Sequence, residues 1–126
     1  MNFLKIKNFY SSGKFTEVES KDKIVNKVKD FYNFKPFPNY KDNDNKNTIL
    51  EKGNENLLTK EFKKKVGFNK KVLEVGCGTG QLSSYLSIGT NNNVVAMDAT
   101  KESLKLANEF AKKNNLQNID FLHADI

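Results

Sequence analysis

From Lys71 onward, apolar and polar positions fall into a regular alternation of short apolar runs and helical spacings. Val72-Leu73-Glu74-Val75 reads as a short buried strand, and Leu82, Tyr85 and Leu86 then recur at helical spacing up to Gly89. Asn91 to Asn93 turns the chain into a second apolar run, Val94-Val95-Ala96-Met97, which ends at Asp98. Thr100 stands where a helix cap would, ahead of Leu104, Ala107, Phe110 and Ala111 on one face, and Asn114-Asn115 stops that helix. Ile119 to His123 gives a third strand. Strand, helix, strand, helix, strand predicts an α/β fold with a Rossmann-like parallel sheet, its right-handed crossovers placing the strands in the order 3-2-1.

Upstream the pattern is less regular. Leu4 to Lys7 alternates, Ser11-Ser12-Gly13 reads as a turn, and Phe15 to Val18 is expected to return as a second short strand. Ser20 sits at a helix start, with Ile24, Val25, Val28, Phe31 and Tyr32 on one face. Two prolines in Phe34-Lys35-Pro36-Phe37-Pro38-Asn39-Tyr40 end that helix and bias Lys35 and Phe37 toward extended backbone. Lys41 to Asn47 is purely polar and reads as a solvated connection. Leu57, Leu58, Phe62 and Val66 predict a further helix stopped by Gly67 and Asn69, with Lys63-Lys64-Lys65 as its solvated face. The expected organisation is a mainly helical N-terminal extension over residues 1–47, followed by the patterned part over residues 48–126.

Composition changes this picture in three places. At 126 residues the chain is one ordinary domain or part of something larger, which excludes a multidomain enzyme, and 37% apolar residues allow a packed core. All 21 basic residues are lysine and none is arginine. Residues 1–71 hold 17 lysines against 9 acids, whereas residues 72–126 hold 4 against 6, so the net charge of +6 comes wholly from the first part. Lysine is a solvated point charge without the bidentate fork of arginine, and an all-lysine excess is weak support for specific nucleic-acid recognition. The single cysteine, Cys77, cannot close an intramolecular disulfide. Lys5 and Lys7 interrupt the only apolar stretch near the N-terminus, and no apolar run reaches membrane-spanning length, so a cytoplasmic protein is expected.

The candidate chemistry lies at the carboxyl ends of the strands, where open α/β sheets bind ligands. The first end carries Gly76-Cys77-Gly78-Thr79-Gly80, the second Asp98 and the third Asp125. Glycines at alternate positions let the backbone turn tightly and approach a ligand closely. Asp98, 18 residues beyond Gly80, is placed to accept hydrogen bonds from both hydroxyls of a ribose. A nicotinamide-dinucleotide fingerprint needs G-x-G-x-x-G, and here Gln81 stands at the third glycine position. Cys77 has no histidine or basic neighbour in sequence to activate it, His123 falls on a strand, and no clustered spacing suggests a metal site.

The run Leu73-Glu74-Val75-Gly76-Cys77-Gly78-Thr79-Gly80-Gln81-Leu82 closely resembles the first motif of class I S-adenosylmethionine-dependent methyltransferases. Val95-Ala96-Met97-Asp98 looks like that family's second motif and Phe121-Leu122-His123-Ala124-Asp125 like its third, so the resemblance covers about residues 70–126. It implies S-adenosyl-L-methionine as cofactor, with Gly76, Cys77, Gly78 and Gly80 backing the methionine part and Glu74 helping to hold its ammonium group. It further implies Asp98, with Ala99 beside it, on the ribose, Asp125 on the adenine amino group and Ile126 near the ring. The family's fourth motif, which carries acceptor-side residues, would begin beyond Ile126. The chain is therefore expected to be the cofactor-binding part of a longer methyltransferase, its acceptor and catalytic residues unassigned. The helix Ser103-Leu104-Lys105-Leu106-Ala107 and the Pro36-Phe37-Pro38 region resemble a group of bacterial methyltransferases, which would make Phe34 to Tyr40 a lid or acceptor-side segment; the alternative is an aromatic linker packing on the sheet domain. Two other classes fit parts of the pattern: a piece of an NAD(P)-binding oxidoreductase, and a non-catalytic Rossmann-like module with a basic arm for nucleic acid.

Overall fold

The computed structural model describes residues 15–17, 23, 27 and 38–124. Four parallel strands, β1 (Phe15–Glu17), β2 (Lys71–Val75), β3 (Asn93–Asp98) and β4 (Ile119–His123), form one sheet in the order β1-β4-β3-β2. The three strands of the patterned region thus stand third, second, first across the sheet, as their crossovers dictate. Phe15 lies opposite Phe121 in a parallel pair, so this segment extends the sheet beside β4. Leu4 to Lys7 lies outside the described residues. So does most of the expected Ser20–Tyr32 helix, although Lys23 and Lys27 are helical.

Period-two alternation sorts the strand residues. Val94, Ala96, Ile119 and Phe121 are fully buried and form the core with Leu86, Leu104, Ala107 and Phe110 of the helices α3 (Gln81–Ser87) and α4 (Lys101–Lys113). Leu73 and Val75 point the opposite way and remain 55% and 46% exposed on β2, whose neighbour within the described sheet is β3.

Ahead of β2 stand two helices, α1 (Lys46–Glu55) and α2 (Leu57–Val66). The first was not legible as a helix, because Gly53 and two asparagines give it poor intrinsic propensity. Its start is built by a capping box. Asn45 Oδ1 accepts from the backbone N–H of Asn47 and Thr48 at 2.8 and 3.2 Å, and Thr48 Oγ1 accepts from the Asn45 N–H at 2.8 Å. The polar stretch before it is not simply solvated, since the Asp44 side chain is buried. Burial opposes the Asp44 charge, but donation from Lys52 Nζ at 2.6 Å and the Lys41 N–H at 2.7 Å holds its carboxyl below the ordinary value.

Helix α2 has the expected bounds and stop, with Gly67 and Asn69 both in left-handed backbone. Of its apolar repeat, Val66 packs against the core, but Leu57 and Leu58 are 72% and 83% exposed. Lys63, expected on a solvated face, instead donates to the carbonyls of Tyr85 and Ile88 at 2.6 and 2.9 Å and lies 4.3 Å over the Tyr85 ring. It thereby satisfies carbonyls that the short helix α3 leaves without intrahelical partners. Partial burial lowers its pKa from the usual lysine range.

Candidate functional site

Seven of the nine residues singled out in the sequence, Glu74, Gly76, Cys77, Gly78, Gly80, Asp98 and Ala99, meet at the carboxyl ends of β2 and β3. The other two, Asp125 and Ile126, lie outside the described residues. The loop between β2 and α3 needs its glycines for different reasons. Gly76, Gly78 and Gly80 all have positive φ, at 76°, 56° and 76°. A Cβ on Gly76 would meet nothing within 4 Å, so only its backbone angle demands glycine. One on Gly80 would also come within 3.0 Å of the Ala107 Cβ, so close helix packing adds a second demand there.

Backbone hydrogen bonds fasten this loop to β3. The N–H groups of Gly76 and Cys77 both donate to the Met97 carbonyl, at 2.8 and 2.9 Å, and the Gly80 N–H donates to the Cys77 carbonyl at 2.9 Å. Asp98 completes the attachment. Its Oδ2 accepts from the Gly78 N–H and its Oδ1 from the Thr100 N–H, each at 2.8 Å. Asp98 thereby closes an Asx turn onto Thr100, the N-cap residue, whose own side chain does not make the cap bond expected of it. Beside it, the Ala99 carbonyl lies 3.1 Å from His123 Nε2, so the buried histidine ties β4 to the end of β3.

Two further groups bear on the chemistry of the loop. Cys77 is buried, and burial, reinforced by the carboxylates of Asp98 and Glu74, pushes its thiol well above the ordinary range. Burial of this kind disfavours the thiolate, the nucleophilic form of cysteine. Glu74 is half-buried and accepts from the Ser83 hydroxyl of α3. Desolvation raises its pKa against that bond, and the charge of Asp98 adds to the rise. Two carboxylates thus flank a loop built from glycines and buried side chains, and their field favours a ligand carrying positive charge there.

Pro38, Asn39 and Tyr40, at the end of the segment read as a lid or as an aromatic linker packing on the sheet domain, lie directly on this loop, through contacts the sequence did not specify. Tyr40 Oη donates to the Thr79 carbonyl at 2.8 Å, the Thr79 hydroxyl donates to the Pro38 carbonyl, and Gln81 Nε2 donates to the Asn39 carbonyl at 3.4 Å. The only signal was an aromatic between polar residues after two prolines. A polar cleft of about 500 Å3 lined by Thr90, Asn91, Asn114 and Asn118 lies at the opposite, amino end of β3 and β4, away from these groups.

Comparison with known proteins bears on the family of the patterned region. Residues 67–126 match the family described as a methyltransferase domain. A Methanocaldococcus jannaschii protein provisionally named a protein N5-glutamine methyltransferase is 41% identical over 58 residues, 46% of this chain and 29% of that protein. The 23S rRNA (uracil(1939)-C(5))-methyltransferase of Shewanella denitrificans is 37% identical over 60 residues, 44% of this chain and 13% of that protein. The chain therefore spans less than a third of the length of either relative. Among solved structures, a protein of Pyrococcus horikoshii superposes with a TM-score of 0.50 and 31% identity, over 77% of this chain and 40% of that one.

Proposed function

We propose that this chain holds S-adenosylmethionine on its glycine loop for methyl transfer to an acceptor, a reading supported by the match of residues 67–126 to a methyltransferase-domain family. The observation that carries the reading is the pair of carboxylates, Glu74 and Asp98, at adjacent strand ends around a loop of three left-handed glycines. Glu74 would take the ammonium group and the backbone of Gly76, Cys77, Gly78 and Gly80 would back the methionine part. Asp98, with Ala99 beside it, would accept from the ribose hydroxyls with the lone pairs left over from Gly78 and Thr100. Asp125 and Ile126 are assigned to the adenine by the motif they complete. The sulfonium supplies an already activated methyl group, so the chain's task is to bind and orient.

The relatives' names place one acceptor in protein and another in RNA, and both similarities are confined to about 60 residues of the cofactor-binding part. They support the cofactor and leave the acceptor open. In the described residues no helix is long and apolar enough to cross a membrane, and a cytoplasmic site of action is part of the proposal. Calorimetric titration of the 126-residue chain with S-adenosylhomocysteine and with NADH tests the reading. Binding of S-adenosylhomocysteine alone is expected, whereas tighter binding of NADH, or of neither, would turn the choice to a dinucleotide enzyme or a non-catalytic module.

Glu74 also predicts a trade of stability for binding. Its folded pKa lies above the unfolded one, so folding favours the protonated form. That preference stabilises fully below the unfolded value and is lost as pH rises through the folded one, leaving the ionised form a burden at pH 7. Glu74→Gln keeps an acceptor for Ser83 and removes the charge. Without ligand its melting temperature at pH 7 is expected to equal or exceed that of the unaltered chain, with the gain vanishing near pH 4. Its S-adenosylhomocysteine affinity is expected to fall. A lower melting temperature at pH 7 together with unchanged affinity would contradict the assignment.

A further inference from the structure

Thr79 stands between Gly78 and Gly80, both in left-handed backbone, at φ 56° and 76°. A residue flanked by two glycines is held weakly by its own chain, because glycine moves between positive and negative φ at little cost. Yet Thr79 is fully buried, with no exposed surface at all. What fixes it comes from about 40 residues upstream. Its carbonyl accepts from Tyr40 Oη at 2.8 Å and its hydroxyl donates to the Pro38 carbonyl, so the residue is gripped at backbone and side chain by one short segment. The third contact of that segment, Gln81 Nε2 to the Asn39 carbonyl, holds the first residue of α3.

The segment is itself anchored. The Tyr40 ring stacks on Phe110 of α4, with centroids 4.3 Å apart and planes 8° from parallel. Burial also pushes its phenol far above the ordinary range, which keeps the hydroxyl a donor at any working pH. The hydrogen bond therefore runs from a rigid ring on α4 to the central peptide of the loop, and it determines which way the Thr79–Gly80 peptide faces.

We infer that Pro38, Asn39 and Tyr40 form a strap that sets the glycine loop in its ligand-receiving conformation, with Tyr40 as a positioning residue acting through Thr79. The inference rests on the cofactor reading above and goes beyond it, since no motif of the patterned half contains these residues. The strap acts on the part of the site that backs the methionine moiety and makes no contact with Asp98. Its removal therefore affects a ligand with the amino-acid tail more than one without it.

Tyr40→Phe keeps the stacked ring and deletes the donor. The 126-residue chain and this variant are titrated with S-adenosylhomocysteine and with adenosine, and amide hydrogen exchange is followed over residues 78–81. The variant is expected to bind S-adenosylhomocysteine about five- to tenfold more weakly, the loss of one hydrogen bond. Adenosine affinity should change less than about twofold on the same scale, and exchange at residues 78–81 should speed up while α4 is unchanged. Thr79→Val, which removes the second grip, carries the same test if Tyr40→Phe does not fold. Equal loss for both ligands, or no loss for S-adenosylhomocysteine, overturns the strap while leaving the cofactor reading in place. Failure of the unaltered chain to bind S-adenosylhomocysteine overturns both.

Discussion

Asp98→Ala is expected to weaken S-adenosylhomocysteine binding by at least about a hundredfold, the loss of two hydrogen bonds to a charged acceptor at about 1.4 kcal/mol each. The same substitution should cost roughly 2 kcal/mol of stability without ligand, because two backbone donors lose their acceptor in a half-buried site. Those donors are the N–H groups of Gly78 and Thr100, each 2.8 Å from a different carboxylate oxygen. One side chain thus couples the glycine loop to the start of α4, and the ribose hydroxyls would meet it already oriented. Asp98→Asn is the sharper variant. Its single carbonyl oxygen can serve one of the two N–H groups, while its amide NH2 faces the other as donor against donor. Isothermal titration with thermal unfolding of both variants checks this, and an affinity within threefold of the unaltered chain would remove Asp98 from the binding site.

The second large effect is one of packing, and here two tendencies of known size oppose each other. Gly53→Ala within α1 should gain up to about 1 kcal/mol of helix propensity. A Cβ at that position, however, would lie 2.3 Å from Tyr85 Cε2 and 2.4 Å from Cδ2, well inside contact distance. Tyr85 is 2% exposed and bonded through its hydroxyl to Asn54 Oδ1 at 2.8 Å, so the ring has little room to withdraw. Overpacking costs of about 1–3 kcal/mol outweigh the propensity gain. The net expectation is a melting temperature lower by a few degrees, at about 3–5 °C per kcal/mol for a domain of this size. Repeating the substitution in a Tyr85→Leu background should reverse its sign, because the clash is gone and the propensity gain remains. A rise in melting temperature with Tyr85 present would refute the close approach of α1 to α3.

The parts of the molecule that were legible in the sequence share one property: their pattern is dictated by burial on a regular element. The strand Ile119–His123 and the helix ending at Asn114 follow from alternation and spacing alone, since each misplaced residue would expose an apolar side chain or bury a polar one. The positions of Glu74, Gly76, Gly78, Gly80 and Asp98, proposed above to face the cofactor, were legible because they sit at the ends of those strands. What escaped reading depends on contacts between distant segments. Asp44 looked like a solvated acid and is buried by Lys52 and the Lys41 backbone. Lys63 looked like one of three solvated lysines and caps α3. Leu57, Leu58 and Phe62 looked like a core stripe and face outward. Tyr40 carried no periodic signal, because one aromatic in an irregular segment reports its stacking partner only in three dimensions.

Cys77 gives the loop a built-in clock. The chain has no second cysteine, and this one is buried with its thiolate strongly disfavoured. Its reaction with a disulfide reagent must therefore wait for the segment from Gly76 to Gly80 to open, so the labelling rate reports that opening together with the reactivity of the exposed thiol. Any ligand that settles on the glycines slows that clock in proportion to its occupancy, which allows occupancy to be followed one sulfur at a time in a chain with no tryptophan.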